Sequence, residues 1–141
     1  MTIAGVNILA VLAATIVSFM AGGVWYGALS KAWMEASGMS AERIAASHQG
    51  RRIPTAFLIA FFGQLVMAVV LSTLIGPIWA GRVTLWTGMA TGIVMWLGFV
   101  VTTLATNHAF QEQPFKLTAI DGGHWLLVLL LQGAVIGAFG G

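Results

Sequence analysis

Asp121 and His124 are the residues best placed to do chemistry, because both fall at the start of the last long apolar run. Three residues apart on a helix, they share a face. A carboxylate beside an imidazole can hold a proton, orient a tautomer or bind a cation. Ionisable groups inside an apolar span are costly and are the first place to look for function. Gln132, eleven residues beyond Asp121, returns to nearly the same angle. Asn107 and His108 close the preceding run, and Gln64 lies in the middle of the second. Asp121, His124, His108, Asn107, Gln64 and Gln132 therefore form a candidate polar or ion site. Arg51, Arg52 and Lys116 are the candidate charge partners of Asp121.

A structural role competes with a chemical one and leads it. An acid within a turn of a helix start is favoured by the positive end of the helix dipole. Pairing with Arg51, Arg52 or Lys116 would then suffice to explain Asp121. His108 reads as a loop residue, and Gln64 as an interhelical hydrogen bond. Two His and one Asp match no established zinc spacing, so no metal is expected. No nucleophile elbow, phosphate loop or HExxH stretch is present, and the chain has no Cys. Neither an enzyme nor a cofactor is expected.

The elements that must position these residues are membrane helices. Of the 141 residues, 59% are hydrophobic and 7% charged, against roughly 25% charged in an ordinary soluble domain. A spanning helix needs roughly 20 apolar residues. Four runs qualify, at about 3–29, 54–75, 83–106 and 118–139. A β-barrel would alternate apolar and polar residues, which FLIAFFGQLVMAVVL and HWLLVLLL do not. The fold class expected is all-α: four transmembrane helices in one compact bundle, a single domain over 1–141. The second span is expected to stop at Gly76-Pro77. The first 30 residues carry no charge, so the N-terminus reads as a retained helix and not a cleaved leader.

Lys31, Arg43, Arg51, Arg52 and Lys116 lie in the first and third loops, and Arg82 alone in the second. The positive-inside rule puts those two loops in the cytoplasm and both termini outside. Loop 30–53 is expected to hold a short interfacial helix capped by Ser40. Basic residues confined to loops give no nucleic-acid-binding face.

Lipid is as apolar as Leu, so such helices associate through small residues. Stripes at four-residue spacing run through Ala10, Ala14, Ser18 and Gly22, through Ala56, Ala60, Gln64, Ala68, Ser72 and Gly76, through Thr84, Gly88 and Gly92, and through Gly133, Gly137 and Gly141. Gly22, Gly88, Gly92, Gly133 and Gly137 are the expected packing glycines. Trp25, Tyr26, Trp33, Trp79 and Trp86 read as aromatic belts at the two interfaces. Trp96, near the midplane, is expected to pack on Gly92 or on a neighbour's glycine face.

Two segments, GGVWYGALSKAWMEASGMS (22–40) and NHAFQEQPFKLTAIDGGHWLL (107–127), resemble the bacterial DUF1761 family of small membrane proteins of unknown function. Its members carry a WYSP…GKxWM-like stretch after the first helix and a WKL…IDAGYW-like stretch entering the last. Trp25, Tyr26, Lys31, Trp33, Met34, Lys116, Leu117, Ile120, Asp121, Gly123 and Trp125 match. Gly27-Ala28 replaces the usual Ser-Pro, the gap before Lys31 is shorter, Phe115 replaces Trp and His124 replaces Tyr. The resemblance implies a bacterial inner-membrane location and supplies no activity. The reading is a structural, accessory or self-assembling membrane module, with the lipid bilayer and further copies or a larger complex as partners. The alternative is a small transporter or channel using Asp121 and His124.

Overall fold

The computed structural model describes residues 2–3, 6–50 and 53–140. A two-residue hairpin opens the chain: β1 (Thr2–Ile3) pairs antiparallel with β2 (Val6–Asn7), Thr2 opposite Asn7. Seven α-helices come next among the described residues: α1 (Ile8–Ala28), α2 (Ser30–Ser37), α3 (Ala41–His48), α4 (Thr55–Ile78), α5 (Leu85–Met95), α6 (Val101–Phe110) and α7 (Phe115–Ala138). A π-helical turn, Trp96–Val100, fuses α5 and α6 into one continuous rod. The chain is thus all-α apart from the small hairpin. Four helical stretches are long and apolar enough to cross a membrane: Ile8–Ala28, Thr55–Ile78, Leu85–Phe110 and Phe115–Ala138.

Local chemistry accounts for several boundaries. Asn7 caps α1, its side chain accepting from the Ala10 amide at 3.2 Å. Ser40 caps α3 in the same way through the Arg43 amide, at the position expected from sequence. Thr84 and Thr87 form a reciprocal capping pair at the start of α5. The expected stop at Gly76-Pro77 does not occur. Pro77 lies in the last turn of α4, which continues to Ile78. Pro removes an amide from that turn, and the helix end is closed just beyond it, where the amides of Trp79 and Gly81 both donate to Gly76 O. The third span also continues past its expected end, and α6 reaches Phe110. The loop expected to begin at Asn107 is therefore helical at Asn107 and His108. Helix α2 falls in what reads as loop and is closed by Gly38 in the left-handed region, at φ 69°.

Helix α7 is the most enclosed of the four long helices and packs against α1, α4, α5 and α6. Its contact with α5 is made by glycine. A Cβ on Gly88 would overlap the Gly133 carbonyl, and one on Gly133 the Gly88 carbonyl. A Cβ on Gly137 would overlap the Thr84 carbonyl, and one on Gly92 would lie 2.5 Å from the Leu129 carbonyl oxygen. On α1, Ala10, Ala14, Ser18 and Gly22 are all buried. The stripe on α4 is buried only around Gln64 and Ala68, while Ala56 is exposed. The first turns of α4 lie outside the close-packed core. Gly141 falls outside the described residues.

Candidate functional site

Asp121 stands in the second turn of α7, and its Oδ1 accepts two hydrogen bonds from different helices. The Tyr26 hydroxyl, near the end of α1, donates at 2.7 Å, and the Trp33 indole, in α2, at 3.2 Å. Oδ2 faces His108 Nε2 of α6 at 4.0 Å. His108 Nδ1 is 2.9 Å from the Thr118 hydroxyl of α7. One carboxylate thus gathers α1, α2, α6 and α7.

Aromatic groups complete the surround. Trp25 Nε1 donates to the Ile120 carbonyl at 3.0 Å, and its ring fills the space beside Gly123, where a Cβ would lie 2.8 Å from Cζ2. Trp96 Nε1 donates to the Gly122 carbonyl at 2.8 Å, so it meets a glycine of the neighbouring helix rather than Gly92. The His124 ring stacks at a tilt on Tyr26, centroids 4.7 Å apart, and lies against Trp125 at 4.8 Å.

His108 reaches this site because of the π turn. At about 100° per residue, an uninterrupted α-helix would point His108 about 160° away from Gly92. A π turn carries one extra residue and swings the rest of the rod back by about 100°. Gly88 and Gly92 in α5 and His108 in α6 are consequently all buried, and His108 comes within reach of Thr118 and Asp121.

The candidate polar residues do not form one site. His124 and His108 lie with Asp121. Asn107 is exposed and lines a shallow depression with Thr102, Thr103 and Thr106. Gln64 and Gln132 belong to a second cluster, since eleven residues of helix separate Gln132 from Asp121 by about 16 Å. There, Gln132 Nε2 donates to Ser18 Oγ at 3.1 Å and to the Gln64 carbonyl at 2.9 Å, and Ser18 Oγ donates to Gln64 Oε1 at 2.8 Å. All three residues are buried.

One expected charge partner needs correction too. Lys116 pairs with Glu35 of α2, Nζ to Oε2 2.6 Å, and not with Asp121. Lys116 lies in the first turn of α7, more than a turn before Asp121, where α2 passes and both side chains are exposed. The Lys116 ammonium holds the Glu35 carboxyl below its ordinary range by hydrogen bonding and by charge. Arg51 and Arg52 lie outside the described residues. No group of three or more His, Cys, Asp or Glu that could hold a metal occurs among the described residues.

Tyr26, Trp25 and Trp33 are site residues that a belt reading conceals. In sequence, an indole at a membrane interface and one that donates to a carboxylate look alike. Thr118 and Ser18 offer only their small size as a signal.

A family model described as a protein of unknown function, DUF1761, matches residues 9–137, nearly the whole chain. No curated protein and no solved structure matches it. The residues around Asp121 come largely from the two segments, 22–40 and 107–127, that carry the resemblance in sequence, and the fold brings those segments together.

Proposed function

The chain belongs to the DUF1761 family, and from that premise we propose that it is a multi-pass membrane module: a structural or accessory unit that assembles with further copies or within a larger complex. The observation that carries this reading is that Asp121 Oδ1 is committed to two protein donors, Tyr26 and Trp33. A carboxylate bonded in this way fastens α1 and α2 to α7. The glycine contact between α5 and α7 supports a bundle in lipid, where close backbone approach replaces the hydrophobic drive between helices. Leu9, Met20, Val24, Ile59, Val66 and Phe99 face outward, each more than half exposed, as lipid-facing residues should.

In this reading the chain sits in the bacterial inner membrane, with α2, α3 and the α6–α7 turn in the cytoplasm and both termini outside. Five Lys and Arg against one support that orientation. A C-terminal fusion to a reporter active only in the cytoplasm tests it, and strong signal there refutes the orientation.

Transport through Asp121 and His124 is the rival reading, and one observation favours it: His124 Nδ1 is buried inside the bundle without a hydrogen-bond partner. Asp121→Asn separates the two. The module reading expects a lower melting temperature in detergent and a changed assembled mass. The transport reading expects a normally folded variant whose proteoliposomes have lost proton or cation flux.

A further inference from the structure

Two buried side-chain atoms among the described residues have no hydrogen-bond partner, His124 Nδ1 and Gln132 Oε1. Both residues belong to α7, and they are 6% and 0% exposed. They stand eight residues apart, about 12 Å along the helix, with fully buried Val128 midway between them. His124 is about 4.5 Å inward of Asp121 along the same axis.

The orientation of the Gln132 amide is fixed by its surroundings. Its nitrogen meets the Gln64 carbonyl, which can only accept. Turning the amide over would set oxygen against oxygen there. Ser18 offers no alternative, because its one hydroxyl proton already has two acceptors, Gln64 Oε1 at 2.8 Å and the Thr15 carbonyl at 3.2 Å. Oε1 of Gln132 is therefore the atom left over. For His124, the nearest polar side chain in ring contact is Tyr26, whose hydroxyl is committed to Asp121. On its other side the imidazole backs onto Gly22, which has no side chain to offer.

An acceptor buried in an apolar interior without a partner is costly. Ordered water is the usual partner where protein supplies none. We propose that His124 Nδ1 and Gln132 Oε1 each bind an internal water, so that α7 carries two separate hydrated points, one near the Asp121 end of the bundle and one at the Ser18–Gln64–Gln132 cluster, with dry Val128 between them. Water suits both atoms: it donates to the carboxamide oxygen, and it donates to or accepts from the imidazole according to tautomer. This inference is independent of the module reading, since a freestanding unit and an accessory subunit would carry the same hydration.

Water-edited solid-state NMR on the isotopically labelled full chain in lipid bilayers tests it. Transfer of water polarisation to the His124 ring and the Gln132 carboxamide is expected to build up several-fold faster than to the Val128 and Leu129 methyls, the dry references. Exposed Gln111 serves as the wet one. Build-up at His124 and Gln132 as slow as at Val128 would overturn the proposal. In Gln132→Met, the new methyl is expected to be as dry as Val128. A wet methyl there would mean general water entry and would overturn the assignment to the carboxamide. The measurement on the parent decides the question even if the variant does not fold.

Discussion

His124 occupies the space that a side chain at Gly22 would need: a Cβ there would lie 2.7 Å from His124 Nε2. The imidazole is a knob, and the glycine face of α1 is its hole. Gly22→Leu should therefore be strongly destabilising, at the upper end of the roughly 1–3 kcal/mol typical of overpacking. His124→Ala should recover part of that loss in the double variant, because it removes the group that the introduced leucine strikes. Melting temperatures in one detergent measure both effects. Strictly additive losses would show that the two residues do not share the space.

Tyr26 and Asp121 offer a double-mutant cycle. Tyr26→Phe removes only the hydroxyl that donates at 2.7 Å. Its loss should cost about 1–3 kcal/mol, the range for a hydrogen bond whose partner stays buried. In an Asp121→Asn background the same change should cost less. Equal costs in the two backgrounds would mean that the charge of Asp121 adds nothing to the bond.

The glycine contact between α5 and α7 gives the sharpest packing test. At Gly88, Gly133 and Gly137 the obstructing atom is a backbone carbonyl, which cannot rotate aside as a side chain can. Gly133→Ala should thus cost more than Gly98→Ala, although alanine is the better helix former at both. Gly98 is exposed, and a Cβ added to it would meet nothing within 4 Å. If Gly133→Ala melts no lower than Gly98→Ala, the helices are not held by this contact.

Glu35 and Lys116 should show pH dependence of a definite sign. The Glu35 carboxyl lies below its ordinary value of 4.5 because of Lys116. The pair therefore stabilises above that ordinary value and loses its effect as pH falls through the lowered one. The gap in melting temperature between the parent and Glu35→Gln should be present at pH 7, close in acid and shrink in high salt, since both groups are exposed. A gap that widens in acid would reverse the assignment.

Much of the scaffold is legible in the sequence, because hydropathy and the absence of alternation mark the four long helices whatever their neighbours do. Small residues also mark the packed faces on α1, α5 and α7. Asp121 and His124 are legible because charge in an apolar run is conspicuous. The partners of Asp121 are not. Tyr26 and Trp33 depend on how α1 turns into α2, and no local pattern encodes that turn. The Lys116–Glu35 pair joins residues 81 apart, and counting charges per loop cannot choose between Glu35 and Asp121. Ala56 misleads, because four-residue spacing continues past the point where α4 leaves the core.

His108 is the residue the sequence hides best, and the reason yields a last prediction. Its place beside Thr118 and Asp121 depends on the wide turn at Trp96–Val100, where the Val101 amide bonds to the Trp96 carbonyl. Deleting Gly98 removes one residue from that turn without disturbing a packed side chain. The turn should then close to ordinary α geometry, and at about 100° per residue the shortened rod leaves His108 about 60° from Gly92, the angle that the π turn already gives it. Gly88, Gly92 and His108 can therefore all keep their contacts with α7. The deletion should leave helical content unchanged. The decisive measurement is a second substitution in that background. In the parent, His108→Ala removes the bond to Thr118 and leaves that hydroxyl buried beside the gap, so it should destabilise by about 1–3 kcal/mol. In the deletion variant it should cost about the same, because the surplus residue has gone and the imidazole still faces α7. If His108→Ala costs almost nothing there, the turn does not carry one surplus residue and is not what brings this imidazole to Asp121.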